Sequence, residues 1–125
     1  MDEGLLLSDV VKGYLDVIDL AVDKYNYAFE QVGTADLETL DILHELELAD
    51  MTTQERYKLS TELRNVRLRR RKYKDTVIQL EPIIEKLDNQ KFKDGVNQTR
   101  QLLGELRKVE KHLGERYYVP RVRED

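Results

Sequence analysis

The 125 residues include 25 acidic and 21 basic side chains, for a net charge of −4, and charged residues make up 37% of the chain against about 25% in an ordinary soluble domain. The absence of cysteine excludes disulfides, thiolate nucleophiles and cysteine zinc sites together. Two prolines and six glycines are few for a disordered chain, so the charge is expected on the solvated helix faces of one all-α domain.

A domain of this length buries only about two-thirds of its unfolded surface. The core should therefore be thin, and pairing with copies of itself is expected. No apolar run approaches the ~20 residues that cross a bilayer. Leu5, Leu6 and Leu7 follow Asp2 and Glu3, not the basic segment of a signal peptide. A cytoplasmic protein without a membrane partner is expected. Its charge is asymmetric: residues 1–50 hold thirteen acids and only Lys12 and Lys24 as bases, a sum of −11 that leaves +7 for the remainder. Either the two halves attract one another, within or between chains, or the basic half presents a surface to anions.

The first helix is expected over Ser8–Val32, with a heptad-type seam of Leu7, Val11, Tyr14, Ile18, Ala21, Tyr25, Ala28 and Val32. Ser8 is placed to cap it, and Gly33 to end it in a left-handed conformation. The short turn Gly33–Asp36 should then fold a second helix, Leu37–Ala49, back antiparallel. That helix is leucine-rich, and Ile42 widens its apolar face so that no single buried stripe is selected.

Thr52-Thr53-Gln54-Glu55 is a capping box, in which Thr52 accepts from the Glu55 backbone N–H. It starts a long third helix from Thr53 to at least Leu80, along which Leu59, Leu63, Val66, Tyr73, Val77 and Leu80 keep the 4-3 rhythm. Arg70 occupies the slot between Val66 and Tyr73. Pro82 should kink or end this helix, with Ile83, Ile84 and Leu87 forming one further turn. An irregular loop around Phe92 and a fourth helix over Val96–Leu113, stopped by Gly114, complete the expected helices. The remaining Tyr117–Arg123 stretch reads as a short extended tail. The expected fold is thus antiparallel helical hairpins with one long central helix and an extended C-terminal tail, assembled as an oligomer.

Seven of the eleven residues from Arg64 to Lys74 are basic. At helical spacings of i, i+3, i+4 and i+7, Arg67, Arg70, Arg71 and Lys74 share one face. Guanidinium groups suit phosphate because their planar donors engage two oxygens at once. The structural alternative is a solvated basic face paired with the acidic half. Arg70, in a seam position where leucine would be expected, requires a partner in a crevice. A second basic cluster combines Arg107, Lys108, Lys111, Arg116, Arg121 and Arg123 with Tyr117 and Tyr118, which can stack on a planar base or pack on a neighbouring helix. Phe92 and Asn97 offer another stacking and hydrogen-bonding pair, although Phe92 also suits a core plug. His44 and His112 have no metal-ligand spacing, and His44 should be part-buried among leucines. No nucleophile elbow or Gly-rich phosphate loop occurs, so no catalytic residue, metal or cofactor is assigned.

The run from Asp41 to Glu47, the segment Leu63–Asp75 and the ending Arg116-Tyr-Tyr118-Val-Pro120-Arg121-Val122 resemble small phage-encoded helical proteins, most of all the anti-Thoeris sponges. The resemblance spans Asp41 to Val122 and leaves out the acidic N-terminal helix. It implies a symmetric homo-oligomer, a dimer or hexamer, that sequesters a cyclic ADP-ribose-type or cyclic oligonucleotide immune signal without cleaving it. By that resemblance Arg67, Arg70, Arg71, Arg121 and Arg123 would hold phosphates, Phe92 would stack on the base, and Asn97 would read a polar edge; the basic clusters themselves add Lys74, Arg116 and Tyr118 to the candidate ligand-binding residues. The rival expectation is a helical protein-interaction module, a phage factor docking on a host protein through its acidic first helix or basic third helix. Nucleic-acid binding is disfavoured by the overall acidity.

Overall fold

A computed structural model describes residues 6–117, which form three helices and no strand. Helix α1 spans Leu7–Leu48, α2 Thr53–Leu87 and α3 Gln90–Tyr117. The Thr52 cap opens α2 as its sequence requires: Thr52 Oγ1 accepts from the Glu55 N–H at 3.1 Å. Most other boundaries differ from expectation, each for a physical reason.

The stop at Gly33 does not form, and the first two expected helices are one helix of 42 residues. Gly33 does not take the positive φ that a C-terminal stop needs. A glycine inside a helix costs about 1 kcal/mol. Against that, Ala35 is fully buried beside Ile42 and Val66, and burying the two larger side chains contributes about 1.5–3 kcal/mol each. Tertiary packing wins. The Thr34 and Thr39 hydroxyls donate to the carbonyls of Glu30 (3.2 Å) and Ala35 (2.8 Å), so neither polar side chain opposes the helix.

Pro82 likewise does not end α2, which continues to Leu87. Val77 is buried ahead of it, and Leu80, Ile83, Ile84 and Leu87 are partly buried around it; together they carry the helix past the missing N–H. The loop expected around Phe92 is instead the first turn of α3. Asn89 Oδ1 caps that turn by accepting from the N–H groups of Lys91 (2.9 Å) and Phe92 (3.3 Å). Gly114 does not stop α3, which reaches Tyr117; the remainder of the expected tail lies outside the described residues.

The chain divides into two compact units. The first is Ala21–Ile84, in which α1 and α2 pack together. Here α1 buries Ala21, Ala28, Ala35 and Ile42, seven residues apart, with Thr39 also buried. Ala35, Ile42 and Val66 form its core cluster, joined by Leu46, Leu59 and Leu63. The Tyr27 and Tyr73 rings meet edge to face at 5.8 Å. Tyr27 pairs with Tyr73, Glu38 with Arg69, and Leu46 with Arg56, so the two helices run antiparallel within this unit.

The second unit contains α1 up to Leu20, α2 from Glu85, and α3. Leu15, Ile18 and Val96 are its buried cluster, surrounded by Val11, Leu87, Phe92 and Leu103. The inner positions of α1 here are Ser8, Val11, Leu15 and Ile18, whereas Leu7 and Tyr14 of the expected seam are about half exposed. Val11 and Ile18 have apolar neighbours on both sides, so periodicity alone is degenerate between the two stripes. Ser8 is not the cap: it lies inside the helix with its N–H donating to Glu110 Oε2 at 3.3 Å, and the Leu6 N–H is met by Asp9 Oδ2. Arg100 donates to Asp19 at 2.8 Å. That hydrogen bond holds the Asp19 carboxyl below the usual aspartate range, against some loss of hydration and with the charge of Arg100 adding to it.

Gly33→Ala is expected to raise stability by about 0.5–1 kcal/mol in urea unfolding, because the helix passes straight through this position. A loss of similar size would mean that Gly33 is a left-handed stop. A second expectation concerns acid. The lowered Asp19 carboxyl contributes stability above its unfolded value of about pH 4, and that contribution is lost as pH falls through the folded value. The urea midpoints of wild type and Asp19→Asn should therefore differ at pH 7 and draw together only as pH falls below the ordinary aspartate range.

Candidate functional site: a basic face on α2

The helical spacing of the α2 bases places them together as the sequence implies. Arg64, Arg67, Arg70, Arg71 and Lys74 line a surface depression of about 420 Å³, with Leu68 and Ile78 as apolar lining and Asp75 as its single carboxylate. Five cations around two aliphatic side chains repel one another unless anions gather there. Part of the compensation is internal. Arg70 Nε donates to Asp36 Oδ1 at 2.6 Å, and an Arg67 nitrogen lies 4.0 Å from the same oxygen. Arg69 pairs with Glu38 on the adjoining side.

Arg70 is the most enclosed of these arginines, its side chain 29% exposed. The polar seam position that breaks the leucine rhythm of α2 is therefore answered by a carboxylate from α1. The sequence does not single out Asp36, because Gly33–Asp36 has the composition of a turn; in the continuous α1 it lies on the side facing α2. Among the described residues no carboxylate forms an ion pair with Arg64, Arg71 or Lys74. These three are the cations left to meet an outside anion. Arg64 belongs with the site, and its signal was available: it stands three residues before Arg67.

A second depression in the same unit, about 410 Å³, is lined by Glu38, Asp41, Ile42, Glu62, Asn65, Val66 and Arg69. Its carboxylates outnumber its one arginine, which Glu38 already engages. It does not suit an anion.

The other expected site residues belong to the second unit or lie beyond the described chain. Phe92 packs against the Leu15–Ile18–Val96 cluster, so its ring is at least partly a core plug. Asn97 is exposed on α3, as are Arg107, Lys108 and Lys111, and Arg116 falls in the last turn of that helix. Tyr118, Arg121 and Arg123 lie outside the described residues. His44, expected part-buried, is exposed on α1. Among the described residues no cluster of three or more His, Cys, Asp or Glu side chains could hold a metal ion, and no helix is long and apolar enough to cross a membrane.

The fold and site thus define an all-helical chain with a cationic helix face. No family model matches the sequence, and no curated protein or solved structure matches it either.

Asp36→Ala is expected to lower stability by about 0.5–1 kcal/mol, the scale of a half-exposed ion pair. Arg70→Leu should be neutral or stabilising, since it restores an apolar seam and leaves Asp36 in contact with water. Equal losses for both variants in chemical denaturation would show that the pair, not the seam, dominates.

Proposed function

We propose that this protein binds a small phosphorylated ligand on the basic face of α2 and sequesters it without chemistry. The ligand class is a cyclic ADP-ribose-type or cyclic oligonucleotide signal of bacterial immunity, and the protein is a phage-encoded, homo-oligomeric sponge acting in the host cytoplasm. One observation carries the reading. Arg64, Arg71 and Lys74 line a single depression without an internal ion pair, beside Arg67 and Arg70. Charge-assisted hydrogen bonds contribute about 1.5–3 kcal/mol each, so three of them supply about 4.5–9 kcal/mol against the roughly 8 kcal/mol of a micromolar affinity. Leu68 and Ile78 supply an apolar surface for a base or ribose between the phosphate contacts. The resemblance to anti-Thoeris sponges supports the same ligand class. A depression of this size fits a compact dianion better than a long nucleic acid, whose binding would instead fall steeply with salt.

A second reading rests on a different surface. In the Ala21–Ile84 unit, α1 leaves Phe29, Leu37, Leu40 and Leu48 exposed among the acids Glu30, Asp41 and Glu47. That face favours a protein-interaction module, a phage factor engaging a host protein with a basic, apolar surface.

The two readings separate in a calorimetric panel of cyclic ADP-ribose isomers and cyclic dinucleotides. Sponge activity predicts saturable binding, ligand recovered unchanged after denaturation, and at least a tenfold loss of affinity in Arg71→Glu/Lys74→Glu. Heat signals absent across the whole panel would remove the sponge. An interaction module instead loses its partner in Leu37→Glu/Leu40→Glu while the α2 variant keeps it.

A further inference from the structure

In the unit that α1 forms with α3, α1 carries a second apolar stripe that no described residue covers. Leu7, Val10, Tyr14, Val17 and Leu20 are each between 47% and 60% exposed. With Gly13 they occupy six positions at helical spacing, none of them charged. The sequence of this stripe has a symmetry of its own. Outward from the Gly13–Tyr14 peptide, valine stands three residues away in both directions, at Val10 and Val17. Leucine stands three further, at Leu7 and Leu20.

Such a pattern is its own complement. Two copies of α1 laid antiparallel about a two-fold axis at Gly13–Tyr14 would set Leu7 against Leu20, Val10 against Val17, and Tyr14 against Gly13. A Cβ added at Gly13 meets nothing within 4 Å, as at Gly33, Gly95, Gly104 and Gly114, so the chain's own packing requires glycine at none of these positions. What sets Gly13 apart is its place at the centre of the stripe, where this register puts it opposite the Tyr14 ring of the second copy. Of the two carboxylates flanking the stripe, Asp16 is paired with Lys12 at 2.7 Å, and Asp9 accepts from the Leu6 N–H at 3.3 Å and keeps its charge at the margin of the contact. The exposed area of these five residues is about 500 Å² per copy, so a contact that buried all of it would total about 1,000 Å², the threshold for a specific interface rather than its standard size.

We infer that the Leu7–Leu20 face of α1 is a two-fold, antiparallel self-association surface joining two copies of this chain. It names the surface behind the homo-oligomer in the functional reading above, yet does not depend on what α2 binds: ligand calorimetry tests one, and molecular mass tests the other.

Sedimentation equilibrium of the full chain should give at least twice the 14.8 kDa chain mass at micromolar concentration. Val10→Glu/Val17→Glu should weaken association at least tenfold with unchanged far-UV circular dichroism, since both residues are exposed within one chain. The chain has no cysteine, which permits a register test that needs no disruptive charge. Tyr14→Cys sits at the axis and should form a linked dimer under mild oxidation. Leu7→Cys should not, because antiparallel copies hold the two residues about 20 Å apart. A wild-type chain that stays at single-chain mass at hundreds of micromolar would overturn the inference. So would an unchanged mass in the double glutamate variant, or equal linking of Leu7→Cys and Tyr14→Cys, which would mean a parallel contact.

Discussion

Both hydrophobic clusters of this protein are built on one helix. Leu15 and Ile18 of α1 anchor the cluster with α3, and Ala35 and Ile42 of α1 anchor the cluster with α2. The continuity of α1 through Gly33 is therefore the constraint on which the rest depends. Its inner positions run 8, 11, 15, 18 and then 21, 25, 28, 32, 35, 39, 42 and 46. Two successive steps of three, Leu15–Ile18 and Ile18–Ala21, fall at the boundary between the two units. Three of the five buried residues of the α2-facing part are alanines, Ala21, Ala28 and Ala35, which allow close helix approach but contribute little burial individually. Much of the fold's stability must then come from valine, isoleucine and leucine on the facing helices.

The charge asymmetry of the sequence resolves into specific pairs. Asp36 and Glu38 of α1 take Arg70 and Arg69 of α2, and Asp19 of α1 takes Arg100 of α3. Acidic α1 is thus a counter-surface for two basic helices. This internal pairing does not exhaust the bases of α2, and the surplus collects around one depression. An anion entering there would compete with Asp36 for Arg67 and Arg70 while meeting Arg64, Arg71 and Lys74 without such competition. Attraction between halves of the chain and attraction for an outside anion operate side by side.

Helical class, the Thr52 cap and the clustering of the α2 bases were legible because each is written in short-range spacing. Three and four residues apart means one helix face wherever the helix points. What misled were local stop signals. Gly33 and Pro82 lie inside helices because their costs of about 1–3 kcal/mol are smaller than the packing on either side, and Gly114 lies three residues before the described end of α3. Degenerate periodicity misled in a second way. Leu7–Tyr14 and Ser8–Leu15 both alternate with Val11 and Ile18, and only contact with Val96 distinguishes them. Asp36 combined both errors: a false turn removed it from the helix face on which it meets Arg70.

The sharing of α1 also orders events during synthesis. Asp36 and Arg70 are 34 residues apart in the chain, whereas Asp19 and Arg100 are 81 apart and Ser8 and Glu110 are 102 apart. Loop-closure entropy differs by only about 1 kcal/mol across that range, so availability matters more than entropy. The α1–α2 hairpin is complete once the chain has passed Ile84, but Leu15 and Ile18 have no α3 to cover them until the C-terminal third has been made. Through that interval the N-terminal part of α1 exposes apolar residues on two sides. A nascent chain in this condition is most exposed to contact with its neighbours on a polysome, and translation rate through α3 becomes a determinant of yield.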